Sequence, residues 1–256
     1  MKTYILKSFF KGTFFDFVLQ DEKADAVIIL PGFPSNNDFS DLIKFFYEKG
    51  YHVFVPRYRG SYQSKGVFLS KNPIYDLEEF LTALEKGVAR SLWDGKKKKF
   101  IIRRKILLAG SFGGAIGCGL AAKTQKFTHV ILTSPVWDFE KHNSLGDEQD
   151  LVKLTQFVKR AYNNCYNYDF DSIAEAIGKF IETKPDYYLP LLETTPVLIM
   201  HDPNDKTVAI KHSKEMFPLL KKAMFIEHYF GHVSSDDLFV AHWKDVEKFI
   251  NINYVQ

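Results

Sequence analysis

Six short apolar segments spread along the chain are the feature that most constrains its fold. Each is a nearly continuous run of aliphatic and aromatic residues, typical of a strand buried on both faces of a sheet. Amphipathic helical patterns lie between them, which predicts a mostly parallel sheet with right-handed crossovers and helices on both faces. The six segments are residues 26–30, 52–55, 105–109, 129–132, 196–200 and 223–227.

Two more strand patterns, residues 3–7 and 13–19, flank a Lys11-Gly12 turn near the start of the chain. They predict an antiparallel edge and bring the expected α/β sheet to about eight strands. The main helical patterns cover residues 38–49, 112–123, 208–220 and 238–250, and another begins at Asn72-Pro73. The Asn72-Pro73 pair is typical of an N-cap followed by proline at the first helical position.

The interval between residues 132 and 196 is longer than a single crossover requires. It contains two amphipathic patterns, listed here by their apolar positions: Leu151, Leu154, Val158 and Ala161, then Ile173, Ile177, Phe180 and Ile181. The second follows Ser172-Ile-Ala-Glu175, a capping-box signature. We therefore expect one domain over residues 1–256 with a helical lid inserted at 136–194. Loops at the carboxyl ends of parallel strands surround the ligand crevice, so the insertion is placed to cover it.

Charge and cysteine content exclude several classes of protein. The 34 basic and 31 acidic residues give a net charge of +3, too balanced to indicate nucleic acid as the main partner. Cys118 and Cys165 lack metal-ligand spacing. No apolar run approaches the roughly 20 residues of a membrane span, and the N-terminal segment lacks the features of a signal peptide. We expect a cytoplasmic protein; the sequence leaves its oligomeric state open.

The sharpest local signal is residues 107–114, LLAGSFGG, between an apolar strand pattern and a helical pattern. Small residues, Ala109 and Gly113, stand two positions on either side of Ser111. A strained strand-to-helix turn that exposes a nucleophilic serine requires this, because larger flanking side chains would collide with neighbouring backbone. The helix that follows also brings its partially positive N-terminus to the serine.

This segment resembles the nucleophile elbow of the α/β-hydrolase superfamily, with Ala109 in place of the first glycine of its G-x-S-x-G motif. The order of strands and motifs extends the resemblance over nearly the whole chain. It implies a catalytic triad in the chain order serine, acid, histidine, with Ser111 as the nucleophile.

Three aspartates are candidates for the acid. Asp205 stands at the family spacing in residues 197–208, four residues after His201 and three before Val208. Asp202 competes with it, although it occupies a position where the family usually has glycine, and a turn-forming role explains it equally well. Asp138, after the preceding strand, is the third candidate. The resemblance favours Asp205.

Gly231 and His232 follow the last strand, where the family carries its catalytic histidine. The resemblance also implies two backbone donors for an oxyanion. Phe112, directly after the serine, supplies one. Phe33 supplies the other from the loop Pro31-Gly-Phe-Pro-Ser35, which resembles the family's His-Gly-x loop with proline replacing histidine. Pro34 has no N–H and is excluded.

Two charged features are interpreted as structural. Residues 96–105 hold seven basic side chains in ten and enter the Ser111 strand at the end opposite the elbow, so we expect a solvated basic surface. The insertion carries 11 acidic against 6 basic residues, which we also expect to face water. Arg57 and Arg59 are expected to brace their own loop.

The sequence thus predicts a serine hydrolase that cleaves a carboxylic ester or thioester of a small-molecule acyl substrate through Ser111, Asp205 and His232. The mechanism would pass through an acyl-enzyme, with Phe33 and Phe112 as oxyanion donors and with no cofactor or metal. Two alternatives remain. One is a peptidase of the serine aminopeptidase kind, whose preference for a free amine would depend on acids of the lid. The other is a ligand-binding homologue without turnover.

Overall fold

A single eight-stranded sheet organises the described part of the computed structural model, which is residues 4–21, 23–142, 144, 146, 148–162, 164–232 and 235–252. The strands are β1 (Leu6–Phe10), β2 (Thr13–Val18), β3 (Ala24–Leu30), β4 (His52–Pro56), β5 (Val88–Arg90), β6 (Lys97–Lys99), β7 (Ile102–Gly110), β8 (His129–Thr133), β9 (Val197–His201) and β10 (Ala223–Glu227). The sheet order is β1-β2-β4-β3-β7-β8-β9-β10, while β5 and β6 form a separate antiparallel hairpin. The pairs from β4 to β10 are parallel.

Helices connect these strands on both faces of the sheet. They are α1 (Ser40–Glu48), α2 (Pro73–Leu84), α3 (Gly113–Thr124), α4 (Leu151–Ala161), α5 (Ile173–Gly178), α6 (Pro185–Leu191), α7 (Ile210–Met216) and α8 (Asp236–Asn251), with short 3₁₀ turns at Ile181–Thr183 and Phe217–Leu219. Asn72 caps α2 by accepting from the Ile74 amide at 3.0 Å, and Pro73 begins the helix. The α/β architecture expected from the sequence is confirmed.

Alternate side chains of the central strands enter two separate hydrophobic cores. On β3, Ile28 joins the core beneath α2 and α3, whereas Val27 and Ile29 join the core beneath α1 and α8. All three are at most 1% exposed. Because both faces are covered, strands such as β3 carry apolar residues at consecutive positions, which is the pattern that predicted them.

The first strand lies further along the chain than expected. The prediction was 3–7, of which Thr3 is outside the described residues, but β1 spans Leu6–Phe10. Lys11 and Gly12 both have positive φ, 44° and 95°, and form a two-residue hairpin turn in which Phe10 pairs directly with Thr13. Such a turn leaves no spacer between the strands, so β1 continues up to it.

Other differences concern helix ends and the basic segment. The pattern predicted from Ile173 to Ile181 is helical only as far as Gly178, and Ile181 is 64% exposed rather than part of an apolar face. The helix predicted over 208–220 is α7 followed by the 3₁₀ turn that contains Pro218, since proline cannot donate an α-helical hydrogen bond. The β5–β6 hairpin and α6 were not predicted.

No helix among the described residues is long and apolar enough to cross a membrane.

Close packing of α3 on its neighbours gives a direct test of the fold. A Cβ at Gly119 would overlap the carbonyl oxygen of Glu182, whereas a Cβ at Gly178 would meet only the Glu140 carboxylate at 3.9 Å. We expect Gly119→Ala to lower the free energy of unfolding by about 1–3 kcal/mol, because backbone must move to admit the methyl group. Gly178→Ala, the control, should leave it unchanged or slightly raised. Urea denaturation of both variants checks this, and equal stabilities would contradict the packing argument.

Candidate functional site

Ser111 occupies a sharp turn between β7 and α3. Its φ is +51°, a left-handed backbone conformation that non-glycine residues rarely adopt. Three backbone hydrogen bonds hold the turn: the Ser111 amide donates to Thr133 at 3.1 Å, and the Ser111 carbonyl accepts from Gly114 at 2.8 Å and from Val136 at 2.9 Å. The turn is thus fixed to the end of β8 and to the residues that follow it.

Glycine is required beside this turn for steric reasons. A Cβ at Gly113 would lie 2.8 Å from the Pro31 carbonyl oxygen and 3.2 Å from the Tyr58 hydroxyl. At Gly117 a Cβ would lie 2.8 Å from the Cβ of Ala109. The small residues that marked the segment in the sequence therefore let α3 approach both the sheet and the loop after β3.

Phe33 and Phe112 are both neighbours of Ser111, the first in the loop after β3 and the second in the turn after β7. Gly32 brings the first of these loops close to the serine, since a Cβ at Gly32 would be 3.4 Å from Ser111 Cβ. Both phenylalanines are buried, and their ring centroids are 5.7 Å apart. In the described part of the chain neither amide donates to a protein acceptor, which leaves both as donors for a ligand.

Tyrosines hold the loop Pro31-Gly-Phe-Pro-Ser35 that follows β3. The Tyr58 hydroxyl donates to the Pro31 carbonyl at 2.9 Å. At the other end of the loop, the Ser35 amide donates to the Tyr166 hydroxyl at 3.0 Å, and the Tyr62 hydroxyl donates to the Ser35 carbonyl. Sequence reasoning missed these residues, because hydroxyls from β4–α2 and from the β8–β9 connection meet the loop only in the folded chain.

Asp205 and His232 are in direct contact. Asp205 Oδ2 lies 2.7 Å from His232 Nδ1, and Asp205 Oδ1 accepts from the amides of Thr207 at 2.8 Å and Val208 at 3.1 Å. Burial by itself raises the pKa of Asp205, but its hydrogen bonds with His201 and His232 and the amide of Val208 outweigh burial and hold the pKa well below its ordinary value. The carboxylate is therefore ionised at neutral pH and accepts a hydrogen from Nδ1.

A buried polar chain supports Asp205 from behind. Trp137 Nε1 donates to Ser213 Oγ at 2.8 Å, which lies 2.8 Å from His201 Nδ1. His201 Nε2 is 2.9 Å from the Val208 carbonyl oxygen and 3.4 Å from Asp205 Oδ2. Every donor is satisfied when Ser213 donates to Nδ1 and His201 carries its hydrogen on Nε2. The sequence offered only the spacing of His201 from Asp205; Trp137 and Ser213 gave no signal.

The other two aspartate candidates make different contacts. Asp202 Oδ1 accepts from the Asn204 amide at 2.7 Å, as a turn-former does, and its Oδ2 accepts from the Gly231 amide at 2.6 Å. Asp202 thus fixes the residue before His232 without bonding the imidazole. Asp138 caps its own turn by accepting from the Glu140 amide at 2.9 Å.

Ser111 and His232 line one open cleft of about 670 Å³. The cleft extends along the loop after β3 and the start of α1, and α4 closes part of it with Leu154, Phe157 and Tyr162. Its carboxylates come from Asp38, Asp41 and Asp236 rather than from the β8–β9 connection, and no lysine or arginine of the described residues lines it. None of the described acids of the connection lines this cleft, but the expectation that they face water is wrong for two of them, since Glu148 and Glu182 are buried.

A second, much smaller cavity of about 20 Å³ also borders Ser111. Its apolar lining is Phe33, Phe112, Val136, Phe139, Leu151, Leu154, Ile173 and Val208, with Thr207, Gln149 and His142 as polar neighbours. Among the aromatic side chains of the β8–β9 connection, Phe139, Trp137 and Tyr188 pack in the core, and Phe139 also lines this cavity.

Buried Glu148 joins the β8–β9 connection to the loop that carries Asp205. Its carboxylate accepts from the Ala209 amide at 2.8 Å and contacts His212 Nε2 at 3.0 Å. Burial alone would raise the pKa of Glu148. The hydrogen bonds with the Ala209 amide and with His212 outweigh burial and hold the pKa of this carboxyl below its ordinary value. The carboxylate is ionised and serves as a fixed acceptor.

The remaining sequence interpretations concern side chains outside the cleft. Arg57 Nη2 bonds Asp16 at 2.7 Å and Arg59 Nε bonds Asp76 at 2.7 Å, which confirms that both arginines brace their loop. Cys118 is fully buried, and burial raises the pKa of its thiol. Within the described residues, no group of three or more His, Cys, Asp or Glu side chains is placed to hold a metal ion.

Comparison with known proteins places this geometry in a family. A family model for the α/β-hydrolase fold matches residues 25–156, just over half of the 256 residues. The chain therefore belongs to the α/β-hydrolase fold family, as the elbow motif indicated. No curated protein matches the chain.

Several solved structures share the fold over nearly the whole chain. DcsB, in complex with its substrate analogue, is 16% identical, with 97% of this chain and 98% of that chain covered and a TM-score of 0.69. An esterase of Pyrococcus furiosus, Pf2001, is 15% identical, with coverages of 97% and 90% and a TM-score of 0.68. The 2-hydroxy-6-oxo-6-phenylhexa-2,4-dienoate hydrolase of Rhodococcus sp. strain RHA1 is 14% identical, with coverages of 98% and 100% and a TM-score of 0.64. At these identities the likeness concerns the fold alone.

The hydrogen bonds of Asp205 predict a pH-dependent contribution to stability. Because its pKa is lowered in the folded chain, the stabilisation is fully present above the unfolded-state value of about 3.9 and is lost as the pH falls below it. Asp205→Asn should lower the free energy of unfolding at pH 7 by about 1–3 kcal/mol. This difference between the wild type and the variant should become smaller as the pH is lowered towards 3.5. Urea denaturation across this range measures it, with exposed Asp237→Asn as control. A difference that stays constant with pH would contradict the assignment.

Proposed function

We propose that the protein is a serine hydrolase that cleaves a carboxylic ester or thioester, with Ser111 as nucleophile, His232 as general base and Asp205 as the acid that orients it. One observation carries the proposal: the 2.7 Å contact between His232 Nδ1 and the buried Asp205 carboxylate, beside a cleft that His232 shares with a left-handed serine. Membership of the α/β-hydrolase family supports it.

The tautomer of His232 gives the direction of proton transfer. An ionised carboxylate only accepts, so the hydrogen of the imidazole lies on Nδ1 and Nε2 is free to accept the proton of the Ser111 hydroxyl. As Oγ bonds to the substrate carbonyl carbon, the carbonyl oxygen becomes an oxyanion. His232 then returns the proton to the leaving alcohol or thiol as the carbon–heteroatom bond breaks. A water molecule repeats the two steps, releasing the acid and regenerating the serine.

The amides of Phe33 and Phe112 are the proposed donors to the oxyanion. Neither has a protein acceptor in the described chain, so a substrate oxygen would meet two donors whose positions are already fixed. The tyrosine hydroxyls on the Phe33 loop hold one donor, and the first turn of α3 holds the other. The dipole of α3 adds partial positive charge at the same place.

We also assign the lid and domain boundaries predicted from the sequence. Residues 136–194 contain α4, α5 and α6 and contribute apolar side chains to both cavities beside Ser111. Their buried residues, such as Val158 and Ile177, belong to the same hydrophobic core as α2 and α3. Shared packing of this kind favours one domain over residues 1–256, with 136–194 as its lid.

The two cavities distinguish the acyl side from the leaving-group side. His232 must protonate the leaving group, so that group lies where His232 reaches it. His232 lines the 670 Å³ cleft but is not among the described residues around the 20 Å³ cavity. The acyl group then enters the small apolar cavity, whose volume is about that of one or two water-sized groups. We propose acetyl- or propionyl-sized acyl groups and a larger leaving group.

The same division bears on the peptidase alternative. A serine aminopeptidase binds the free amine of its substrate on the acyl side, where a carboxylate would favour it. Carboxylates of the described residues line the cleft instead, and none lines the small cavity. The geometry therefore supports the ester or thioester activity better than the aminopeptidase.

Covalent labelling tests the nucleophile. A fluorophosphonate probe should form one covalent adduct with the wild-type protein, because His232 activates only a serine that it can contact. The mass of the intact protein measures the adduct. Ser111→Ala should abolish labelling, and Ser134→Ala, which removes another serine of the same cleft, should retain it. Folded wild-type protein that stays unlabelled, also in mild detergent, would overturn the proposal in favour of a ligand-binding homologue.

Hydrolysis of a homologous ester series tests the acyl side. With the alcohol held constant, kcat/KM should fall by about 10-fold or more for each methylene that no longer fits, from acetate and propionate to hexanoate. Leu151→Ala enlarges the small cavity and should shift the preference to longer acyl groups, whereas Val152→Ala, at an exposed neighbouring position, should not. Equal rates for acetate and hexanoate in the wild type would place the acyl group in the cleft instead.

A further inference from the structure

The tip of the β5–β6 hairpin presents large apolar side chains to solvent. Trp93 is 72% exposed and Leu92 is 51% exposed, although their neighbour Ser91 is buried. Tyr4, 59% exposed, packs edge-on against Trp93 with ring centroids 5.7 Å apart. Residues 92–97 are all exposed, which describes a projecting turn rather than a groove. Clustered exposed apolar side chains of this size indicate contact with another surface.

Hydrogen bonds hold this turn in one shape. The Ser91 amide donates to Lys96 at 2.9 Å, the Gly95 amide donates to Ser91 at 2.9 Å, and Arg90 Nη1 donates to the Gly95 carbonyl at 2.8 Å. The hairpin is also fixed to the edge of the main sheet, because the Leu92 amide donates to the Lys7 carbonyl at 2.8 Å. The exposure of Trp93 is therefore built into a defined structure.

Four lysines, residues 96–99, follow the apolar side chains along the hairpin. Lys97 and Lys99 are exposed and two residues apart on β6, so both point to the same face of the hairpin. Lys98 points to the other face and bonds Asp94 at 3.0 Å. Lys96, Lys97 and Lys99 have no carboxylate partner in the described part of the chain. The hairpin thus combines three lysines without a described carboxylate partner, Lys96 and Lys97 beside the turn and Lys99 opposite Val88, with an exposed indole, a phenol and a leucine.

We propose that this tip docks onto a bilayer surface that contains anionic lipids. Trp and Tyr rings favour the headgroup region, where their apolar body and polar end are both accommodated, and lysines gain from the negative surface potential. A projecting tip can enter that layer, whereas a single-stranded nucleic acid is bound in a groove that follows its backbone. The exposed Leu92 beside Trp93 also fits an acyl–headgroup boundary better than an acidic peptide.

Docking at this tip leaves the cleft away from the bilayer. The hairpin precedes the first residue of β7, and Ser111 follows the last residue of that nine-residue strand. A strand of this length spans about 30 Å. The inference therefore does not depend on the proposed function, and docking at the tip leaves the cleft facing the aqueous phase.

Vesicle binding of the full chain tests the proposal. Phosphatidylcholine vesicles with and without 30% phosphatidylglycerol are sedimented with the protein at low salt, and the partition coefficient is measured. We expect binding to the anionic vesicles, a blue shift of tryptophan emission, and weaker binding as salt is added. Changing Lys96, Lys97 and Lys99 together to Gln should reduce the partition coefficient about 100-fold, at roughly five-fold per lysine. Trp93→Ala should abolish the blue shift and weaken binding.

A matched triple variant separates the tip from net charge. Lys71, Lys86 and Lys244 are also exposed, and their replacement by Gln removes the same three charges. This control should bind as the wild type does, and thermal melting verifies that each variant is folded. No binding of the wild type to anionic vesicles, or an equal loss in both triple variants, would overturn the proposal. So would tighter binding of single-stranded oligonucleotide or polyglutamate, either of which would reassign the partner.

Discussion

The left-handed backbone of Ser111 is the constraint around which the centre of the molecule is arranged. An L-residue held at φ +51° is costly, and it persists only when its surroundings fix it. Here the fixing comes from the carbonyl of Thr133 and from the close packing of α3, in which Gly113 and Gly117 leave room for the Pro31 carbonyl and for Ala109. The glycines lower helix propensity, and the short distance between helix and sheet compensates for that loss.

Two loops at the carboxyl ends of β9 and β10 are joined by buried carboxylates. Asp205 holds the imidazole of His232, and Asp202 holds the amide of Gly231. Both carboxylates lie at fixed positions because backbone amides of their own turn donate to them. The orientation of His232 thus depends on two aspartates with separate tasks, and the chain Trp137–Ser213–His201 supports the first of them. Neither aspartate is redundant in this arrangement.

The β8–β9 connection belongs to the site as much as to the core. Its residues supply the Tyr166 hydroxyl to the Phe33 loop and the Glu148 carboxylate to the Asp205 loop. Its apolar side chains Leu154 and Phe139 limit the two cavities beside Ser111. A segment with these contacts couples the size of the two cavities to the positions of the Phe33 loop and of the Asp205 loop.

Much of this protein could be predicted from its sequence. Periodicity identified the strands and helices of the main sheet, since a strand covered on both faces must be apolar at every position, and small residues around Ser111 identified the turn, because only they fit its backbone. The resemblance to the α/β-hydrolase family favoured Asp205 over Asp202 for the contact with His232. The requirements of the strands and of the turn are local, so neighbouring residues reveal them.

Tertiary structure decided the rest. Several contacts join residues that are distant in sequence. Tyrosine hydroxyls bond the Phe33 loop, Asp202 bonds the Gly231 amide, and Glu148 bonds the Ala209 amide. The carboxylates of the cleft likewise come from separate segments, at Asp38, Asp41 and Asp236. The β5–β6 hairpin was not predicted, because strands of three residues show little periodicity. The exposure of Trp93 depends on how this hairpin packs against the edge of the sheet. A sequence pattern indicates the secondary structure and the burial that a segment requires. The distant residues that pack against that segment or bond it are determined only when the sheet has formed.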